Sequence, residues 1–345
     1  MLTIYERGQA GYEETLRSLS RRGDEDLARV EPDVRAILDA VRERGDEAVL
    51  EYTERFDARR PESLVLNRED WLREARAVDP AIRDALSAAG ERIRRYHEHQ
   101  REPGFRYEED GVGLGQRVQP VSAAAVYAPG GKARYPSTVL MTAIPATVAG
   151  VERIVLITPN PTAEILAAAE VAGVTEVVDA GGAQAIAAVA YGTESVARVD
   201  KVVGPGNIYV ACAKRLVFGA VDIDSIAGPS EILVVADEGA DPEVVAADLL
   251  SQAEHDEAAY PMLVTLSREQ ADAVDAALVR QLESLPRKAI ATEAVRDNGY
   301  CFVTGDLDEA ARAATILAAE HLSLSVADPE ALLPSIGAAG AIFLG

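Results

Sequence analysis

Ala123-Ala124-Ala125-Val126-Tyr127-Ala128-Pro129-Gly130-Gly131 (residues 123–131) decides the fold. Its first five residues are small or apolar without interruption, which suits a short strand buried on both faces. The Ala-Pro-Gly-Gly that ends the run is turn chemistry. A helix is expected from Ser137 to Val148, and the unit then repeats: strand Arg153 to Thr158, helix Thr162 to Ala172, strand Glu176 to Val178. Gly181-Gly182 leads into a helix from Ala183; strand Lys201 to Val203 ends at Gly204-Pro205-Gly206, and a helix opens at Asn207. Strand, Gly-rich turn and helix in steady alternation imply a parallel sheet with helices on both faces.

The same alternation returns downstream. Glu231 to Ala236 predicts a strand, and Asp241-Pro242 caps a helix to about Glu254. Pro261 to Leu266 predicts a strand, Glu269 to Leu285 a helix, and Gly299 to Thr304 a strand. Asp306 with Glu309 opens a helix expected to run to about Glu320, and Gly340 to Gly345 predicts a strand. Upstream, Val34, Ile37, Leu38, Val41, Ala48, Val49 and Tyr52 recur at helical spacing, so residues 1 to about 100 are expected to be mostly helical. Arg106 to Val118 alternates around three glycines and predicts a hairpin.

The chain has 345 residues, long for one hydrophobic core, which points to two domains. Its net charge of −23 repels phosphate backbones and anionic lipid, so neither nucleic acid nor a membrane is an expected partner. The two cysteines, Cys212 and Cys301, lie in apolar surroundings and predict buried free thiols, which fits a reducing cytoplasm. The opening Met1-Leu2-Thr3-Ile4-Tyr5-Glu6-Arg7 lacks a basic segment followed by an apolar one, so no signal peptide is expected. No run of apolar residues is long enough to predict a transmembrane helix.

Chemistry concentrates in a few places. The turns at Ala128-Pro129-Gly130-Gly131-Lys132 and Gly204-Pro205-Gly206-Asn207 each join a strand to a helix, where open α/β sheets bind ligands and helix N-termini attract phosphate. Each could equally be a tight connection, and the G-x-G-x-x-G fingerprint of dinucleotide folds is absent. Ser230, in Ala227-Gly228-Pro229-Ser230-Glu231, is either a ligand contact or a plain turn residue. Of the four histidines, His97 and His99 lie in a polar run that predicts a solvated helix surface. Gln252 and His255 are three apart near a helix end and share a face, so they could hold a metal or simply complement the helix dipole. Glu320-His321 is an acid beside an imidazole, suited to proton transfer if both turn into one cleft, or else an ordinary surface pair.

Together these stretches carry a family likeness. Val126 to Gly131, Ala180-Gly181-Gly182-Ala183-Gln184-Ala185-Ile186-Ala187, Val203 to Asn207, Asp224 through Glu231, Leu249 to His255 and Ala319 to Leu322 resemble histidinol dehydrogenase, in family order and at family spacing. The resemblance implies oxidation of L-histidinol to L-histidine through the aldehyde, with two NAD molecules and one zinc ion (Zn2+). It implies that Tyr127, Gln184 and Asn207 contact NAD and that Ser230 contacts substrate. Gln252 and His255 would bind both zinc and substrate. Glu320 and His321 would be the catalytic acid/base pair, with His321 also at the substrate.

It further implies two Rossmann-like parallel-sheet domains, a discontinuous one of residues 21–119 and 231–345 and an NAD-contacting one of 120–230. An N-terminal helical arm of residues 1–20 precedes them. The family is a cytoplasmic homodimer and continues for several dozen residues past the position of Gly345. That further stretch supplies an Asp and a His to zinc, so only half the coordination shell and no small C-terminal domain are expected here. Two other readings remain beside this one: a dehydrogenase for another small alcohol such as a sulfonated diol, and a non-catalytic nucleotide-binding homologue.

Overall fold

The computed structural model describes residues 1–22, 24–130, 135–226 and 228–345, so Gly131, Lys132 and Ala227 of the motifs above lie outside the described residues. The chain opens with β1 (Thr3–Glu6), α1 (Tyr12–Leu19), α2 (Asp24–Arg44), α3 (Asp46–Asp57), α4 (Arg68–Arg76) and α5 (Pro80–Glu98). A hairpin of β2 (Phe105–Glu109) and β3 (Val112–Gln116) follows. Then come β4 (Ala123–Tyr127), α6 (Pro136–Ala149), β5 (Arg153–Ile157), α7 (Ala163–Ala172), β6 (Glu176–Val178) and α8 (Gly182–Tyr191). β7 (Lys201–Val203), α9 (Ile208–Val217) and β8 (Asp222–Ile223) complete that run. The remainder is β9 (Glu231–Ala236), α10 (Pro242–Ala253), β10 (Tyr260–Thr265), α11 (Arg268–Leu282), α12 (Lys288–Asn298) and β11 (Tyr300–Val303). Last are α13 (Leu307–Leu317), β12 (His321–Ser325), the short α14 (Pro329–Leu332) and β13 (Ala341–Phe343).

These elements form two compact units. The central unit is Glu25–Ala227; the terminal unit joins Met1–Asp24 to Gly228–Gly345. In the central unit five parallel strands lie in the order β6-β5-β4-β7-β8. The chain leaves β4 toward one edge and returns to β7 on the other side, so the topological switch falls between β4 and β7. Ala123, Ala125 and Tyr127 face a core with α2, α3, α8 and α9, while Val126 and Ala128 face one with α4 to α7. Two covered faces explain why this strand is apolar at every position rather than at alternate ones.

The helices of residues 25–98 belong to this unit. Val30, Val34, Ile37, Leu38 and Val41 share a core with Ala125 and Ile186. The expected grouping of 21–119 with 231–345 is therefore replaced by a grouping of 25–119 with the 123–223 sheet. Helical periodicity shows which face of a helix is buried and not which sheet buries it.

The terminal unit holds six parallel strands in the order β1-β11-β10-β9-β12-β13. Its switch point lies between β9 and β12. Helices α10, α11 and α12 cover one face, and α1 with α13 the other. Residues 1–20 are not a separate helical arm: β1 pairs with β11, and Tyr12, Leu16 and Leu19 of α1 pack against Phe302 in the core. Two parallel-sheet α/β units are what the strand-turn-helix alternation predicts. Both cysteines are buried and unbridged. Among the described residues no helix is long and apolar enough to cross a membrane.

Candidate active site

Glu320 and His321 were expected at the end of a helix. Instead α13 stops at Leu317, Ala318 takes a left-handed conformation at φ +45°, and His321 is the first residue of β12. β12 lies beside β9, with His321 opposite Ile232. Ser230 lies two residues before Ile232, so Ser230, Glu231, Glu320 and His321 gather at the amino edge of the sheet. The carbonyl of Ser230 accepts a hydrogen bond from the Tyr260 N–H at 2.9 Å, which ties the start of β9 to that of β10.

The cluster is held by reciprocal bonds. The Glu231 N–H donates to Glu320 Oε2 at 3.3 Å, and the Glu320 N–H donates to Glu231 Oε2 at 3.1 Å. Two carboxylates so close would repel, and Arg22 offsets this: its Nε and Nη2 donate to the two oxygens of Glu231 at 2.6 and 2.5 Å. Both side chains of that pair are buried, at 8% and 14% exposure. The arginine comes from the turn after α1, so the N-terminal segment supports the cluster directly.

His321 Nδ1 lies 3.0 Å from the backbone carbonyl of Glu231 and 3.6 Å from Glu320 Oε2. A carbonyl only accepts, so this bond requires the proton on Nδ1 and leaves Nε2 with a bare lone pair. The ring is further steadied by Phe343 of β13, stacked at a centroid distance of 6.2 Å and 18° between planes. An imidazole locked in this tautomer beside an ionisable carboxyl can take a proton at Nε2.

Gln252 and His255 reach the same edge from α10. Residues 321 and 323 of a strand share a face, and Ser323 Oγ donates to Asp248 Oδ2 on α10 at 3.2 Å. Gln252 lies one helical turn past Asp248, toward the strand starts, because a helix joining two parallel strands runs opposite to them. The His255 N–H closes the helix onto the Gln252 carbonyl at 3.0 Å, and Arg287 donates to the His255 carbonyl at 3.2 Å. Gln252 and His255 are thus neighbours on the last turn, each carrying a metal-competent donor. An amide oxygen and an imidazole nitrogen could supply two of the four donors that a tetrahedral zinc ion takes. Among the described residues no group of three or more His, Cys, Asp or Glu could hold a metal ion. His97 and His99 sit at the end of α5, in the central unit.

In the central unit Tyr127, Gln184 and Asn207 stand at the carboxyl ends of β4, β6 and β7 or in the helices that follow those strands. Tyr127 ends β4, and its hydroxyl accepts from the Gly182 N–H at 3.0 Å, at the start of α8. Burial pushes the Tyr127 phenol up to about 12, so it keeps its proton at neutral pH. Gln184 lies in the first turn of α8 at 1% exposure, and its buried Oε1 has no hydrogen-bond partner among the described residues. A buried acceptor left in this way is uncommon in a native fold and can take a donor from a water or a ligand. Asn207 caps α9: its Oδ1 accepts from the N–H groups of Tyr209 and Val210, both at 3.1 Å. Capping commits the carbonyl oxygen and leaves the side-chain NH2 as the donor. A buried acceptor, a phenol and a helix N-terminus thus stand near one switch point, where open α/β sheets commonly bind ligands.

Sequence reasoning passed over Arg22, Glu231, Asp248, Lys214 and Asp224. A signal existed for Lys214, the one cation facing inward on the otherwise apolar turns Ile208 to Ala213, where a buried charge demands a partner. Arg22 carries no such mark, because its partner is 209 positions away.

The family model described as histidinol dehydrogenase matches residues 20–345. The chain is 52% identical over 334 residues to the histidinol dehydrogenase of Aquifex aeolicus, covering 96% of this chain and 78% of that one. With the histidinol dehydrogenase of Pseudomonas savastanoi pv. phaseolicola it shares 53% over 317 residues, covering 90% and 71%. Among solved structures, that of histidinol dehydrogenase from Elizabethkingia anophelis superposes with a TM-score of 0.91 at 32% identity, over 100% of this chain and 80% of that one.

Proposed function

The chain belongs to the histidinol dehydrogenase family of oxidoreductases, and from that premise we propose that it oxidises L-histidinol to L-histidine through the aldehyde as a cytoplasmic, NAD-dependent enzyme of histidine biosynthesis. The observation that carries the reading is His321, held by the Glu231 carbonyl with Nε2 bare and Glu320 3.6 Å from its other nitrogen.

Each oxidation removes a hydride from carbon and a proton from oxygen. NAD, which Tyr127, Gln184 and Asn207 would hold, would supply the hydride acceptor. His321 takes the hydroxyl proton at Nε2 in the first oxidation. The aldehyde then adds water across its carbonyl, and the hydrate loses its own hydroxyl proton and hydride in the second. Glu320 accepts the proton of the attacking water while His321 returns its proton to the carbonyl oxygen, which frees Nε2 to accept the hydroxyl proton of the hydrate in the second oxidation. Ser230, on the same edge, positions the substrate. Zinc, held in part by Gln252 and His255, would supply Lewis-acid polarisation of the substrate oxygen.

The test is NADH formation from L-histidinol, with zinc supplied, at two NADH per substrate consumed. Turnover of a sulfonated diol and none of L-histidinol would replace the substrate. NAD binding without turnover of either would reduce the chain to a non-catalytic homologue. For the metal positions, Gln252→Ala and His255→Ala should each lower bound zinc by elemental analysis; full retention in both would remove them from the shell.

A further inference from the structure

One ion pair, between a buried lysine and a partly exposed aspartate, has no part in the chemistry proposed above. Lys214, on the second turn of α9, is only 1% exposed, and its Nζ forms a short ion pair with Asp224 Oδ1. The same ammonium donates to the Gly204 carbonyl at 2.9 Å. The other oxygen of Asp224 accepts from the Gly204 N–H at 2.7 Å. Asp224 is itself fixed just past β8, where its N–H donates to the Val202 carbonyl at 3.3 Å. Both backbone polar groups of one glycine are therefore gripped by one pair of opposite charges.

Gly204 is worth gripping. It sits at φ +111°, which L side chains rarely adopt. A Cβ added there would lie 2.3 Å from the carbonyl oxygen of Tyr127. Its backbone is thus pressed against the end of β4 at the switch point, and three residues later Asn207 opens α9. Released from the clamp, Gly204 has the widest conformational choice of any residue, and Pro205 after it offers no N–H to bond elsewhere. Burying a lone lysine is costly, and its pairing with a carboxylate that is 35% exposed is weak evidence for stability by itself. What the pair does uniquely is fix the path from β7 into α9.

We propose that Lys214 and Asp224 are positioning residues for the dinucleotide: by clamping both polar groups of Gly204 they hold the 204–207 turn against Tyr127 in the shape that receives the ligand. This rests on the proposed NAD contacts at Tyr127, Gln184 and Asn207. Neither residue of the pair need touch the ligand, and the pair acts through Gly204 and the N-terminus of α9.

The experiment measures NAD+ and L-histidinol affinity by calorimetry on the zinc-supplied protein, alongside thermal unfolding and amide hydrogen exchange across 204–210. The variant is Lys214→Met with Asp224→Asn, which removes both charges together and leaves neither unpaired. The Kd for NAD+ should rise about tenfold and exchange in the turn should quicken. The Kd for L-histidinol should stay within about twofold, a selectivity that general loosening would not produce. A folded double variant with unchanged NAD+ affinity overturns the clamp. Should that variant not fold, Asp224→Glu keeps the charge and lengthens the arm, and the same NAD+ shift is required of it. Gln184→Ala and Asn207→Ala separate the two ideas. If neither weakens NAD+ the nucleotide site itself is misplaced, whereas if both do and the clamp variants do not, only the clamp fails.

Discussion

The central and terminal units are built alike and used at opposite ends. Each is an all-parallel sheet with helices on both faces and one switch point. In the central unit the candidate residues sit where open α/β sheets bind ligands, at the carboxyl ends beside the switch strands β4 and β7. In the terminal unit they gather at the amino ends of β9 and β12. The means of support differ accordingly. The central site uses backbone: glycines at positive φ, a helix cap and a peptide clamp. The terminal site uses side chains: a buried Arg-Glu pair, reciprocal carboxylate bonds and an imidazole locked on a carbonyl. Carboxyl ends come with helix N-termini that stabilise anions, and amino ends do not. A site for proton transfer can therefore be placed there without a phosphate-binding field around it.

The comparison can be broken most sharply at His321. His321→Asn should cut turnover by about a thousandfold while the NAD+ affinity of the central unit is unchanged. Comparable turnover would remove the imidazole from the chemistry. Next comes Arg22→Met, which strands the buried Glu231 carboxylate; denaturant unfolding should show a loss of about 3 kcal/mol, with turnover falling as well. A stability change within experimental error would mean the terminal site does not depend on that pair. In the central unit Gly204→Ala should cost about 2 kcal/mol, since it combines an unfavourable φ with a Cβ pressed on Tyr127. The diagnostic is a larger loss of NAD+ affinity than of L-histidinol affinity; equal losses would erase the distinction between the two sites.

The smallest effect concerns pH. The Tyr127 phenol is raised to about 12 in the fold from an ordinary value near 10. Between those values the unfolded chain has lost the proton and the folded one keeps it, so stability is complete below pH 10 and declines toward pH 12. Tyr127→Phe should flatten that part of the stability profile when unfolding is followed against pH. An identical decline in the variant would assign it to other groups, of which Cys301, also pushed up to about 12, is the first to examine.

What was legible in the sequence follows the punctuation. From Ala123 to Val217 the elements stand within a residue or two of expectation, because Gly, Pro and Asn mark nearly every boundary. β12 escaped because its boundary is unmarked. The turn at Ala318 adopts a left-handed conformation without the glycine that normally announces it, so the sequence up to Glu320 reads as a continuation of α13. That one gap put His321 on a helix instead of a strand. β1 escaped because a four-residue edge strand has little pattern and its partner lies at the far end of the chain. The site was legible at its chemical residues and not at their supports. Arg22, Glu231, Lys214 and Asp224 act through long-range pairs, and a charged residue looks the same in sequence whether it is solvated or clamped.

The pairing of Thr3 with Tyr300 sets the order in which the molecule can be assembled on the ribosome. Residues 25–227 hold all five strands of their sheet and can fold as soon as they emerge. The first 24 residues emerge earlier and must wait, with β1 unpaired, until β11 is made. Arg22 waits with them, so the Glu231–Glu320 cluster beside His321 is completed late. The polar ends of β1, Thr3 and Glu6, then have a second use: they keep an early, solitary strand from recruiting another copy of itself before its own partner arrives.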